Sequence, residues 1–140
     1  MTDILNKLGR AVCGYRRQQR QTQAAIAAKA RISVNTLRNI ERGKGRASSF
    51  DRVLRALDLE LKLDGSGSRT PLAKLADVRL GNGYSQRFVA KQLHMSRNTL
   101  GRLERGDSVR LETLEVYARA IDANLYVAPA QKKGRRGAEL

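Results

Sequence analysis

The chain contains itself twice, and that constrains it more than any other feature. Shifted by 63 positions, TQAAIAAKARISVNTLRNIERG at residues 22–43 lies on SQRFVAKQLHMSRNTLGRLERG at residues 85–106, with nine of 22 positions identical. Upstream the same shift pairs Val12 with Leu75 and Arg16 with Arg79. With the shift raised by one after Lys44-Gly45-Arg46, Phe50 meets Leu114, Leu57 meets Ile121 and Asp58 meets Asp122. Self-similarity at a fixed period marks one supersecondary unit used again. Each unit must therefore bury a small core of its own. With no Trp and only two Phe in the chain, that core has to come from Leu, Ile, Val and Ala. A large catalytic α/β architecture is excluded on the same ground.

Between the copies lies DGSGSRTP, residues 64–71, where Gly, Ser and Pro remove helical propensity and offer nothing to bury. This gives a first domain at 1–63, a linker at 64–71, a second domain at 72–128 and a basic flexible tail at 129–140 carrying Lys132, Lys133, Arg135 and Arg136. The linker spans at most about 26 Å, which keeps the two units neighbours. Within each unit the apolar spacing predicts four or five short helices. Thr22 and Ser85 are suitable N-caps for the second helix of their unit, and Ser33 and Ser96 for the third. Ile32, Leu37 and Ile40, then Met95, Leu100 and Leu103, form the apolar stripe of that third helix, with Gly43 and Gly106 at its end. A fourth helix is expected at about 48–57 and 111–121. Each unit closes on a segment of strand character, LELKL at 59–63 and NLYVA at 124–128.

Charge points to the partner. The chain holds 28 Lys and Arg against 13 Asp and Glu, a formal net charge of +15. Residues 1–64 carry +8 of it and 65–140 carry +7. A cationic surface present once in each copy is the arrangement expected of a nucleic-acid binder, whereas a basic tail on a neutral domain would give a lopsided count. No apolar run approaches the roughly 18 residues of a membrane span, so the chain is read as soluble and cytoplasmic, with no membrane partner. Cys13 is the single cysteine, which excludes an intrachain disulfide, and it is expected to be a small buried side chain of the first helix. His94 is the single histidine, so a His/Cys metal site is not expected.

Two short helices joined by a tight turn, the second polar at its N-terminal face and apolar beneath, is the geometry that places a helix in the major groove. Thr22-Gln23, Ser33-Val34-Asn35-Thr36-Leu37 and Ile40-Glu41-Arg42-Gly43, and in the second copy Ser85-Gln86, Ser96-Arg97-Asn98-Thr99-Leu100 and Leu103-Glu104-Arg105-Gly106, carry the pattern. Each copy resembles the helix-turn-helix domain of the phage Cro and lambda-type repressors and the xenobiotic-response-element regulators. The resemblance covers roughly residues 8–58 and 71–122. It implies an all-α fold of two tandem lambda-repressor-like domains, each followed by a short β-strand that can pair into a small ribbon. It makes the third helix the recognition helix, with Val34, Asn35, Arg38 and Asn39 at base edges in the first domain and Arg97, Asn98, Gly101 and Arg102 in the second. Gln23 and Gln86 are similar to the family's glutamine that braces the phosphate backbone and the recognition helix. Thr22, Arg42, Lys44 and Arg46, with Ser85 and Arg105, are the further backbone contacts it implies. Arg16 with Glu41 and Arg79 with Glu104 become structural ion pairs joining the first helix to the end of the third. The first copy departs from the family at Arg20-Gln21, where a Gly-apolar pair commonly precedes the second helix; Gly83-Tyr84 fits.

The chemistry of the named residues agrees with duplex reading. Arg donates twice to guanine, Asn bridges adenine, and Val meets a thymine methyl. The two copies differ at these positions, Val34, Arg38 and Asn39 against Arg97, Gly101 and Arg102, so unlike half-sites are expected. The strand after each unit resembles that of the HipB type of antitoxin, whose strands pair across a dimer axis. The function expected is a sequence-specific double-stranded DNA-binding transcriptional regulator, a repressor, of bacterial or phage origin and without a cofactor. The alternatives are an antitoxin that also grips a toxin protein, and a recombination directionality factor. An enzyme is not expected, because no catalytic constellation or phosphate loop is present. RNA binding is disfavoured by the lack of aromatic platforms, Tyr15, Tyr84, Tyr117 and Tyr126 being scattered. Two assemblies are compatible with the strands: a pseudo-dimer within one chain, or pairing with a second copy.

Overall fold

The computed structural model describes residues 7–63, 75–105 and 109–130. The linker at 64–71, Gly106 and the tail from 131 onward lie outside the described residues. In order these hold α1 (Lys7–Gln18), α2 (Gln23–Ala30), α3 (Val34–Glu41), α4 (Ala47–Ala56), β1 (Leu59–Leu63), α5 (Leu75–Gly81), α6 (Gln86–Gln92), α7 (Arg97–Glu104), α8 (Leu111–Ala120) and β2 (Leu125–Pro129). The fold is mostly helical with one small antiparallel sheet.

Local chemistry sets the helix ends. Thr22 Oγ1 accepts from the Ala25 amide at 3.0 Å and Ser85 Oγ from Phe88 at 3.1 Å, which starts α2 and α6. Ser33 and Ser96 do the same for α3 and α7 through the amides of Thr36 and Thr99. At the end of α3 the Gly43 amide donates to Ile40 and the Lys44 amide to Asn39, and Gly43 takes φ +82. This double bond with a left-handed glycine is a Schellman stop. The left-handed positions repeat with the sequence. Arg20 (φ 58) corresponds to Gly83 (φ 86), Arg31 (φ 61) to His94 (φ 56), and Asp58 (φ 62) to Asp122 (φ 56). The Arg20-Gln21 departure thus leaves the turn conformation unchanged, with a residue other than glycine in the left-handed region.

The buried apolar residues also repeat. Val12, Ile26, Ala27, Leu37, Ile40, Phe50 and Leu57 form the core of one half, and Leu75, Val89, Ala90, Leu100, Leu103, Leu114 and Ile121 occupy the matching positions of the other. Burying each large side chain is worth about 1.5–3 kcal/mol. Ile32 and Met95 were expected on the stripe of the third helix. They lie instead in the turn before it, half-buried against the core, because the serine cap starts the helix only at residue 34 or 97. Cys13 is half-buried rather than buried, its sulfur 3.8 Å from the Arg16 guanidinium.

The halves are joined through two patches of backbone. β1 and β2 pair antiparallel with Leu59 opposite Pro129, Leu61 opposite Val127, Lys62 opposite Tyr126 and Leu63 opposite Leu125. The second strand is one residue later than NLYVA: Asn124 stays outside and its side chain accepts from Lys7 Nζ, while Pro129 closes the ribbon at its end, where an imide is tolerated. Arg46 and Arg110 form an isolated antiparallel bridge, flanked by Ala47 N donating to Val109 O (2.8 Å) and Leu111 N donating to Gly45 O (2.7 Å). Under the shift of 64, each of these two hydrogen bonds maps onto the other. Arg46 opposite Arg110 and Lys62 opposite Tyr126 are pairs of equivalent positions, so an approximate two-fold axis passes through both. Ala130 N donating to Asp58 O, and Leu8 N donating to the Glu115 side chain, add further ties between the halves.

Candidate nucleic-acid interface

α3 and α7 each turn an apolar underside inward, Leu37 and Ile40 or Leu100 and Leu103, and leave a polar face outward. On α3 the outward set is Asn35 and Arg38, exposed, with Val34 and Asn39 half-buried. On α7 it is Arg97, Asn98 and Arg102, exposed, with Gly101 half-buried beside Arg105, whose Nη1 lies 3.5 Å from where a Cβ on Gly101 would be. Thr22 and Ser85, at the N-termini of α2 and α6, are exposed, as are Arg42, Lys44, Arg46 and Arg105 beyond the C-termini of α3 and α7.

One carboxylate in each half sets the angle of this face. Arg16 Nε donates to Glu41 Oε2 at 2.6 Å and Nη2 to Oε1 at 3.3 Å, while Nη1 donates to Gln21 O at 2.8 Å. Gln23 Nε2 donates to Glu41 Oε1 at 3.0 Å. The second half repeats this, with Arg79 on Glu104 at 2.6 and 3.4 Å and on Tyr84 O at 2.9 Å, and Gln86 on Glu104 at 3.2 Å. A helix 1 guanidinium, a helix 2 carboxamide and the last residue of the outward helix thus meet on one anion. Burial pushes Glu41 and Glu104 up, but the bonds from Arg16 and Gln23, and from Arg79, Tyr117 and Gln86, outweigh it and hold both below the usual carboxylate range. Gln23 Oε1 also accepts from Arg38 Nε at 3.4 Å, so the glutamine orients a side chain of the outward face as well as the carboxylate beneath it.

The halves differ behind this anion. Val53 of α4 is replaced in α8 by Tyr117, fully buried, whose hydroxyl donates to Glu104. Burial and the neighbouring carboxylate raise the Tyr117 phenol well above its ordinary value. The role of Tyr117 was not foreseen, nor was that of Gln19 and Asn82, equivalent residues whose carboxamides donate to Leu57 O (2.8 Å) and Ile121 O (2.6 Å) and tie the end of the first helix to the end of the fourth. The shift of 63 pairs Gln19 with Asn82, so a search for matched amide donors finds them.

Comparison with known proteins adds one decisive match: a family model described as helix-turn-helix covers residues 75–126. Residues 75–126 have a helix-turn-helix fold. The match runs from the first residue of α5 to the second of β2, so the helix-turn-helix segment includes the whole Arg79, Gln86 and Glu104 arrangement. This kind of domain belongs to DNA-binding regulators and is not an enzyme family. No curated protein and no solved structure matches the chain. Among the described residues no group of three or more His, Cys, Asp or Glu could hold a metal ion, and no helix is long and apolar enough to cross a membrane.

Proposed function

We propose that the chain is a sequence-specific transcriptional repressor that binds double-stranded DNA with two helix-turn-helix domains, one at 1–63 and one at 72–130, the second extended past 128 because Pro129 and Ala130 complete the ribbon, linked by 64–71 and followed by the basic segment 131–140. The observation that carries this reading is the approximate two-fold axis through the ribbon and the Arg46–Arg110 bridge, which relates α3 to α7. It makes the two outward helices a pair within one chain. The matched caps, left-handed turns and carboxylate arrangements support extending the helix-turn-helix assignment to the first half. On this reading a single chain does what a homodimeric repressor does with two, its recognition helices entering successive major grooves about 34 Å apart.

The outward faces are unlike, so the operator is not a palindrome. Val34, Asn35, Arg38 and Asn39 read one half-site, and Arg97, Asn98 and Arg102 read the other, with Gly101 admitting close approach. Thr22, Gln23, Arg42, Lys44 and Arg46, with Ser85, Gln86 and Arg105, hold the phosphates and fix the register. Sites selected from random duplexes by the full chain test this. Arg97→Ala and Arg102→Ala are expected to relax preference in one half-site and Asn35→Ala and Asn39→Ala in the other, each costing about 1–3 kcal/mol. A palindromic consensus relaxed equally on both sides by every variant, or equal affinity for single-stranded RNA, rejects the reading.

A further inference from the structure

The repeat supplies an internal control for surface residues, because a side chain that the fold requires is required in both copies. Among the described residues three large apolar side chains are exposed: Leu80 at 63%, Phe88 at 44% and Val116 at 36%. All three belong to the second half. Shifts of 63 for the first two and 64 for the last place Arg17, Ala25 and Arg52 at the matching positions of the first half. That half makes the same caps, the same left-handed turns and the same carboxylate arrangement without them. Leu80 and Phe88 are therefore not part of what the domain needs in order to fold.

Leu80 and Phe88 flank the turn between α5 and α6. The Gly83 amide donates to Leu80 O at 3.0 Å, and the next residue, Tyr84, stacks its ring on Phe88 with centroids 5.5 Å apart. The Tyr84 hydroxyl donates to Asp122, which holds the ring in place. An aromatic pair already held loses little side-chain freedom when another surface covers it. Gln21 and Ala25 stand here in the first half and offer no ring. The face is also turned away from the outward helix. Gln86 donates to Glu104 of α7 at 3.2 Å, and Phe88, two residues on, lies about 200° round α6 from it, so a duplex on α7 does not cover Phe88.

Charge selects the occupant. Phe88 has Arg87 beside it and Lys91 one turn on, both exposed, and α6 carries no acidic residue. A second copy would bring the same cations onto these, under a net charge of +15 on each chain. An acidic segment meets them with opposite sign.

We propose that Leu80, Tyr84 and Phe88, flanked by Arg87 and Lys91, form a docking surface for an acidic protein segment that lays a leucine or aromatic side chain against the Tyr84–Phe88 stack. The surface exists in the second half alone, so one chain takes one such partner. It goes beyond the repressor reading and does not rest on it. In the test, random peptides displayed on phage are selected on the full chain with excess duplex DNA present. The enriched peptides are expected to carry net negative charge together with Leu, Phe or Trp. The most enriched one, made synthetically and titrated into isotope-labelled chain, is expected to shift the amide resonances of residues 79–91 and leave those of 16–28 unmoved. The Leu80→Arg, Phe88→Ala variant, which puts the first half's residues in place, is expected to bind the peptide roughly tenfold more weakly, and an unchanged urea midpoint would establish that it folds. The reverse graft, Arg17→Leu, Gln21→Tyr and Ala25→Phe on the wild-type chain, is expected to bring shifts to 16–28 as well. Enrichment of no acidic apolar peptide, binding that survives in the Leu80→Arg, Phe88→Ala variant, or equal shifts in both halves of the wild type overturns the proposal. So does sedimentation showing a dimer, or flotation showing binding to phosphatidylglycerol vesicles, that the same variant abolishes, since the occupant is then a second copy or a lipid surface. Failure of the chain to select any duplex sequence overturns the repressor reading and leaves this surface standing.

Discussion

Replacing Glu115 with Gln should remove a specific pH dependence of stability. Glu115 of α8 is 4% exposed and reaches across to the first half, where Oε2 accepts from the Leu8 amide at 3.2 Å. Oε1 is buried with no hydrogen-bond partner among the described residues, at the edge of a small cavity lined by Lys7, Ala118, Arg119, Ala123 and Leu125. Burial pushes the carboxyl up from 4.5 to about 7 against the opposing pull of the Leu8 amide and the Lys7 charge. An acid whose folded pKa lies above its unfolded one favours the fold most when it is neutral. That contribution is complete below pH 4.5 and is lost as pH rises through 7, a difference of about 3 kcal/mol. Glu41 and Glu104, held low, act oppositely: their contribution is present above 4.5 and is lost as pH falls below it, outside this window. Glu115→Gln keeps an acceptor for Leu8 and never ionises. Urea unfolding followed by circular dichroism from pH 5 to 8 should show the variant gaining on the wild type by up to about 3 kcal/mol as pH rises. A constant difference between the two proteins across that range would refute the assignment.

Arg79→Met leaves Glu104 buried and charged, and should cost about 3–5 kcal/mol, part of it restored by adding Glu104→Gln; if the second change restores nothing, Glu104 is not the stranded charge. Gly43→Ala places a side chain at φ +82 in the Schellman stop of α3 and should cost about 1–2 kcal/mol, read as a lower melting temperature; no change would mean that this turn relaxes freely.

What was legible in the chain was local or repeated. Ser33 and Ser96 declare their helices because a cap needs only the hydroxyl and an amide three residues on. The Arg16–Glu41 and Arg79–Glu104 pairs stood out because the repeat places both at the same spacing of 25. The existence of both strands was legible from LELKL and NLYVA, whereas pairing within one chain was left open against pairing with a second copy, and β2 starts one residue later than NLYVA, with Asn124 bonded instead to Lys7, a residue 117 positions away. The Arg46–Arg110 bridge was hidden for a related reason. The second copy carries one more residue between Arg105 and Arg110 than the first does between Arg42 and Arg46, so a search at a shift of 63 never aligns them. Glu115 had no pattern to reveal it: its counterpart is Asp51, an exposed residue that pairs with Arg55 on the surface. Its burial comes from the approach of the other half, which local periodicity does not encode.

The ribbon has a consequence for synthesis. β1 leaves the ribosome about 60 residues before β2, so at typical elongation rates it waits roughly 3–12 s for its partner. During that interval Leu59, Leu61 and Leu63, all buried in the finished protein, line a strand with an open edge. Any strand with the sequence of β2 satisfies that edge, including one from a neighbouring nascent chain. The order of synthesis therefore leaves the Leu59–Leu63 edge to be covered last, and the chain closes its two halves on each other only when β2 is complete.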